Sequence, residues 1–536
     1  MKQLSGTDAM FLQAERGNNY MHVASLCIYD PSTAPGGGVR FKDVLRFFTG
    51  RMQQFPQFRR RLVKVPMALD RPYWLEDSSF DVEFHVRHVA LPHPGDWRQL
   101  CIQVARIHSR PLDRSKPLWE AYVIEGLHDV PGVPPGSFAL YMKMHHAMID
   151  GESGNEILKA LHSLSPTTTG DAEDGKAQKL YVDREPTTLE LYSRAVVQNA
   201  KKLPALGRFT VATARRIGGV GKEAIGKARE EGLARDSRLR RLLSGDLGAL
   251  VPKRLPPTRF SGEVSAHRVF EAISLPLADF RKVRERVHEA TVNDQFLAIV
   301  GGALREYLSS KSELPEESMI AAVPLSLRGE DKGGDHGNQV GFTFIPVHSE
   351  IADPLERLRA ISADARGAKR MSDALGKELM RDLVDHVPNV IAHAVLGNVK
   401  LPGLGLVVSN VRGPGVPLYM AGARLVSYAP ISIVLDRVGL NVTAFSYAGT
   451  MCLCAISCRE MLPDPAYFAD CLRRSAEALK TGAAGPEAGV THGRAHAPRS
   501  DATPRPRRRA SRPAASKRKL GPVNGKRPRS GAHTEP

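Results

Sequence analysis

The chain has 536 residues, 42% of them hydrophobic and 25% charged, so it can bury a sizeable core across two or three domains. That composition excludes collagen-like, wholly disordered and multi-span membrane classes. Lysine and arginine exceed aspartate and glutamate by 75 − 57 = 18, a basic balance that points to nucleic acid, phosphates or an anionic membrane surface.

The opening residues Met1-Lys2-Gln3-Leu4-Ser5-Gly6 are followed at once by Asp8 and Glu15, which is not the pattern of a secretory leader. Six cysteines are too few for a disulfide scaffold of this length, and a reducing cytosol is the expected compartment. A strand is predicted over 21–29. The spacing of Val44, Leu45, Phe47 and Phe48 predicts a helix over 41–52, and another is predicted over 96–110. Two neighbouring strands, 119–124 and 137–144, flank the turn-rich stretch Asp129–Gly136.

Beyond a polar loop at 165–174, residues 194–241 carry 13 Lys/Arg against 4 Asp/Glu, on a helix-permissive stretch broken by Pro204 and several glycines. Such a segment either lies on a membrane surface or is a linker whose basic face is solvated. A helix is then predicted over 292–308, strands over 319–323, 340–347, 404–410 and 432–435, and a last helix over 464–479. The uncharged run 438–458 matches a membrane span in length, but its polar residues and the turn Tyr447-Ala448-Gly449-Thr450 read as a β-hairpin. Cys452, Cys454 and Cys458 lie on that run with the spacing of strand packing rather than of a metal site.

Residues 481–536 hold 13 Lys/Arg against 3 Asp/Glu, so 10 of the 18 excess charges sit in the last tenth of the chain. Rich in Arg, Pro, Ala and Ser, this tail is expected to be disordered. The predicted outline is an α/β protein with a half at 1–170, a basic helical connector at 171–260, a second half at 261–480 and the tail.

The chemistry concentrates at Met144-His145-His146-Ala147-Met148-Ile149-Asp150-Gly151. A strand delivers two adjacent histidines, and successive strand residues point to opposite faces. One imidazole is therefore expected to reach substrate while the other braces. Gly151 permits a tight turn, and Ser153 is placed to cap a helix over 154–161. Three readings compete. Zinc is a poor fit, because adjacent strand histidines lack helical His-x-x-x-His geometry. A purely structural pair is the second. The third is a general base, for which a neutral imidazole of ordinary pKa about 6.5 suits abstraction of an alcohol proton.

His145-His146-x-x-x-Asp150-Gly151 matches the HHxxxDG signature of chloramphenicol acetyltransferase-like acyltransferases. Within them the chain resembles the bacterial wax ester synthase/diacylglycerol acyltransferase family. The supporting blocks are Leu4–Leu12, Arg59–Leu62, Pro111–Glu120, Val292-Asn293-Asp294, Val323–Arg328, Gly337-Asn338-Gln339 and Ser409–Pro414. One departure is Gly6, where a proline is expected. The resemblance implies two mixed-sheet domains of that fold joined by the connector, and transfer of a long-chain acyl group from acyl-CoA to diacylglycerol or a long-chain alcohol. It implies His146 as the base, His145 and Gly151 as positional, and Asp150 paired with Arg328 to hold the histidine loop. Asn293 and Asp294 either line the site or cap a helix. No cofactor or metal is implied, with acyl-CoA entering as co-substrate. The expected location is cytoplasmic, on the inner membrane face or lipid inclusions. A condensation-type enzyme using carrier-bound thioesters is one alternative. A basic nucleic-acid-binding protein is the other, and no specific nucleic acid is expected because the tail lacks aromatic stacking residues.

Overall fold

The apolar runs pair into two six-stranded mixed sheets. The computed structural model describes residues 1–148, 158, 161–167, 184–200, 255–326, 340–375 and 404–482, all within one unit, Met1–Ala488. Of the expected helix at 154–161 only residues 158 and 161 are described, both helical; nearly all of the basic connector and of the tail lies outside the described residues.

In chain order the early strands are β1 (Lys2–Gln3), β2 (His22–Asp30), β3 (Arg60–Val63) and β4 (Tyr73–Glu76). Then come β5 (Val86–Ala90), β6 (Trp119–Glu125), β7 (Phe138–His145), β8 (Arg268–Pro276), β9 (Ile320–Ser326) and β10 (Val340–Pro346). The last are β11 (Leu406–Arg412), β12 (Tyr419–Met420), β13 (Ala423–Ile431), β14 (Leu440–Tyr447) and β15 (Thr450–Cys458). The first large sheet runs β12-β13-β2-β7-β6-β5, the second β10-β9-β11-β14-β15-β8, and β1-β4-β3 form a small separate sheet.

Every residue of β7 is buried, as expected of a strand with covered faces. The predicted hairpin is present: Tyr447 pairs with Thr450, and Ala448 and Gly449 take φ of 43° and 88°, the left-handed pair of a two-residue hairpin turn. Cys452, Cys454 and Cys458 pack as buried free thiols on β15. The strand expected at 432–435 is not formed. Residues 423–431 instead make β13, which leaves the second half of the chain to pair with β2. Residues 432–434 are irregular, and Leu435 and Val438 close a turn, because the chain must reverse there to begin β14 in the other sheet.

Helices cover the sheets: α1 (Gly6–Ala14), α2 (Phe41–Gln54), α3 (Val82–His85), α4 (Trp97–His108) and α5 (188–200) come first. They are followed by α6 (Leu277–Arg286), α7 (Val292–Ser310), α8 (Pro354–Leu375) and α9 (Pro465–Thr481). The predicted helices at 41–52, 96–110, 292–308 and 464–479 correspond to α2, α4, α7 and α9. α7 is buried on most of its surface, between α8 and α9, which explains its nearly unbroken apolar sequence. Gly6 proves to be the first residue of α1, whose Ser5 cap accepts from the Asp8 amide at 3.1 Å. A proline is favoured at that first helical position, so Gly6 stands where the expected proline would begin the helix. Trp97 on α4 donates its indole N–H to the Glu271 carboxylate on β8, a polar link between the two halves.

Candidate active site

The histidine pair ends β7 and is pinned by its backbone from both sides. The His145 amide donates to Leu118 O at 2.9 Å, at the start of β6, and the His146 amide donates to Met21 O at 2.7 Å, before β2. Pro117-Leu118-Trp119 thus supports the strand that carries the histidines, with Trp119 fully buried and its indole donating to Phe58 O at 2.7 Å.

The two imidazoles part, as alternation requires. His145 is 1% exposed. Its Nδ1 accepts the Ala147 amide at 3.0 Å, so in the neutral ring the proton is on Nε2. That Nε2 faces Glu15 Oε2 at 3.2 Å. The Glu15 carboxylate also accepts the Met21 amide at 2.9 Å and meets Arg114 Nη2 at 3.1 Å, while Arg114 donates to Leu12 O at 3.1 Å. Burial raises the Glu15 pKa, but the His145 ring, the Met21 amide and the Arg114 guanidinium outweigh it and hold the carboxyl at about 2. Burial pushes the His145 pKa down, against the pull of Glu15. Glu15 is therefore ionised and His145 neutral at pH 7.

His146 begins a single 3₁₀ turn, His146–Met148. It is largely but not fully buried, and its ring stacks on Phe11 of α1, centroids 4.0 Å apart. Burial, then the neighbouring His145, lowers its pKa to about 4, with a hydrogen bond to its own backbone carbonyl opposing. Below the pair on the same strand, Lys143 is fully buried. Its ammonium donates to Arg110 O at 2.9 Å and Ile107 O at 3.3 Å, and Glu120 stands 3.6 Å away. Burial lowers its pKa to about 8 although Glu120 raises it.

Asn293 is partly exposed in the first turn of α7. Asp294 closes a capping box there: its amide donates to Thr291 Oγ1 at 3.1 Å and its carboxylate accepts the Thr291 amide at 2.9 Å. Asp150, Gly151 and Arg328 lie outside the described residues, and with them the expected Asp150–Arg328 pair. Phe11, Glu15 and Arg114 emerged only in three dimensions. Phe11 and Arg114 lie inside the matched blocks Leu4–Leu12 and Pro111–Glu120, but no local spacing links them or Glu15 to histidines that come about 30 to 135 residues later. Glu15 and Arg114 also line a cleft of about 540 Å³ with Leu12, Leu62, Val65 and Met67, a volume typical of small-ligand sites.

Two mixed sheets, the first of them completed by β13 from the second half of the chain, with a histidine pair where the central β7 ends, make the chloramphenicol acetyltransferase-like fold. The first condensation domain of the calcium-dependent antibiotic synthetase shares this fold, with a TM-score of 0.52, 12% identity, and coverage of 89% of this chain and 95% of that one. The wax ester synthase/diacylglycerol acyltransferase catalytic domain matches residues 4–296 and the corresponding C-terminal domain matches residues 336–480. The chain belongs to the wax ester synthase/diacylglycerol acyltransferase family. It is similar to a putative diacylglycerol O-acyltransferase of Mycobacterium tuberculosis, 32% identical over 474 residues and 87% of each chain. It is also similar in structure to the wax ester synthase/diacylglycerol acyltransferase of Marinobacter aquaeolei, with a TM-score of 0.59, 27% identity, and 90% of this chain and 99% of that one covered.

Proposed function

We propose that the enzyme transfers a long-chain acyl group from acyl-CoA to the hydroxyl of a diacylglycerol or a long-chain alcohol, with His146 as general base. The observation that carries this is the placement of the His146 ring, stacked on Phe11 and fixed by its backbone where β7 ends, where burial holds its pKa down. His146 takes the acceptor's hydroxyl proton as the oxygen attacks the thioester carbonyl. The C–S bond then breaks, and the proton returns to the departing thiolate, so the base is restored. A pKa near 4 keeps the ring in its accepting form at neutral pH, at the cost of a weaker pull on the proton. Placing both substrates against one imidazole supplies the remaining acceleration.

Glu15, Arg114 and the Met21 peptide act on this step through geometry: they hold His145, and with it the backbone that aims His146. Asp150 and Arg328 are proposed to hold the other side of the same loop, Gly151 to permit its turn, and Asn293 with Asp294 to lie along the substrate path. Among the described residues no helix is long and apolar enough to cross a membrane, and peripheral contact with the membrane face or lipid inclusions is the proposed mode of reaching an oil-soluble acceptor.

The test offers labelled palmitoyl-CoA with hexadecanol or diolein to the wild-type enzyme and to His146→Ala, and separates the products. Wild type is expected to form wax ester, triacylglycerol or both, and the variant to lose ~10²–10⁴-fold in turnover. Near-normal turnover by the variant removes the base assignment. Absence of either ester from the wild type removes the acyltransfer reading.

A further inference from the structure

We propose that the outward face of α5, together with the Pro66–Ala68 turn, is a docking surface for an anionic phospholipid bilayer. This inference rests on the acyltransferase reading only for the reason a bilayer is needed; the surface itself is read from the structure.

α5 is apolar on two opposite sides. Leu191 and Ala195, one turn apart, are buried against Val65 and Tyr73, and Asn199 donates to Leu69 O at 2.8 Å, so this side already fixes the helix on the protein. Leu189, Val196 and Ala200 follow one another by seven and four residues and form a second stripe facing solvent, bordered by Val197. Leu189 is 78% exposed, Val196 65% and Val197 52%. Nothing in the core requires them.

The neighbouring turn repeats the pattern. Met67 is 74% exposed and held at a φ of 53°, as is Ala68, a conformation costly for residues with a side chain. Leu189, Met67 and Val196 are three of the four most exposed large apolar side chains among the described residues. Single exposed apolar residues are ordinary, but a cluster on adjoining elements marks a surface for an apolar partner.

Charge selects the partner. Lys64, Arg61, Arg184 and Arg194 stand against Glu185 and Glu190 on α5 and the elements beside it, 4 − 2 = +2 in net charge. The acids nearby, Glu185 and Glu190, are already engaged by Arg61 and by Arg184 with Arg194. The chain continues from α5 into Lys201-Lys202 and the basic stretch to residue 241. An exposed apolar stripe on a basic stretch of chain fits an anionic bilayer, which takes the apolar side chains below its headgroups and attracts the excess positive charge to its phosphates. The Pro66–Ala68 turn of this surface also lines the cleft to which Glu15 and Arg114 contribute. Docking there brings that cleft to the membrane from which a water-insoluble acceptor must come.

All six native cysteines are buried, so an introduced surface cysteine can be labelled selectively in the full chain. Leu189→Cys and, as control, Glu285→Cys on α6 each receive an environment-sensitive fluorophore and are titrated with phosphatidylglycerol vesicles. The label at 189 is expected to shift to the blue and the label at 285 to stay unchanged. In parallel, L189S/V196S/V197S is compared with wild type by vesicle flotation at 0.5 M salt, where tail electrostatics are screened. The triple variant is expected to retain the wild-type melting temperature and to lose about tenfold or more in vesicle partition. It should also keep its rate on detergent-dispersed diolein and lose rate on diolein in vesicles.

Shifts at both positions or at neither, or flotation of the variant equal to wild type, overturn the proposal. So does a wild-type dimer that the triple substitution converts to monomer, which assigns the stripe to a second copy of the chain. A wild type that esterifies dispersed diolein but does not bind vesicles sinks the surface alone; one that binds vesicles but forms no ester sinks the catalytic reading alone.

Discussion

Glu15 Oε2 stands 3.2 Å from His145 Nε2, and the same oxygen accepts the Met21 amide at 2.9 Å. The carbonyl of Met21 in turn accepts the His146 amide at 2.7 Å. One carboxylate at the end of α1 therefore fixes the ring of the first histidine and, through a single peptide unit, the backbone of the second.

Glu15→Gln should weaken this hold without emptying the space. Misplacement of a catalytic ring by a fraction of an ångström lowers turnover steeply, and a fall in kcat of roughly ten- to a hundredfold is expected, with KM for palmitoyl-CoA nearly unchanged. Arg114→Ala should act in the same direction but less, because Met21 and His145 still engage Glu15. Steady-state kinetics on both variants check this; wild-type kcat in Glu15→Gln contradicts the positioning role.

The acid limb of activity should lie unusually low. The accepting form of His146 is the neutral ring, and burial, followed by His145, has lowered its pKa to about 4. kcat/KM should therefore stay flat from pH 8 to about 5, without the break near 6.5 that an ordinary imidazole gives. Initial rates measured across that range, in the window where the protein remains folded, decide it. A half-maximal rate near pH 6.5 contradicts the burial of the ring.

Stability should show the opposite sensitivity. Burial lowers the pKa values of His22, His85, His108, His145, His146 and His162, the last two to about 4. These rings take protons in the unfolded chain near pH 6.5 but not in the folded one. Their contribution is complete above pH 6.5 and is lost as pH falls from there towards 4. For His162, 5% exposed and bonded to Tyr29 Oη at 2.8 Å, the full loss is on the order of 3 kcal/mol. His348, paired with Asp364 and Glu350, is shifted upward and offsets only part of it. Urea midpoints at pH 7.5 and 5.0 should differ clearly, with the lower value at pH 5.0; equal midpoints count against neutral buried histidines.

Two helix glycines should respond with opposite sign to alanine. A Cβ on Gly301, inside α7, would lie 2.0 Å from Val347 O, backbone that cannot swing aside, so Gly301→Ala should destabilise by about 1–3 kcal/mol. A Cβ on Gly367, in α8, meets nothing within 4 Å, and Gly367→Ala should stabilise by about 0.5–1 kcal/mol through helix propensity alone. Urea unfolding of the pair tests both; stabilisation by Gly301→Ala contradicts the close approach of α7 to Val347.

The histidine pair, the hairpin around Gly449 and the helices α2, α4, α7 and α9 were legible in the sequence, because two-residue and 3.6-residue periodicities and a short motif are local patterns. The departure of β13 from its own half to pair with β2 was not, and the strand expected at 432–435 was displaced as a result. Strand exchange depends on which sheet edge is free, and no spacing along the chain records that. Glu15 and Phe11 likewise come to face the histidines only when α1 closes on the end of β7, across about 130 residues of chain, and Arg114 joins them through Glu15. The same closure removes water from both imidazoles and sets their proton affinities: residue type makes a histidine able to accept a proton, whereas burial decides the pH at which it does so.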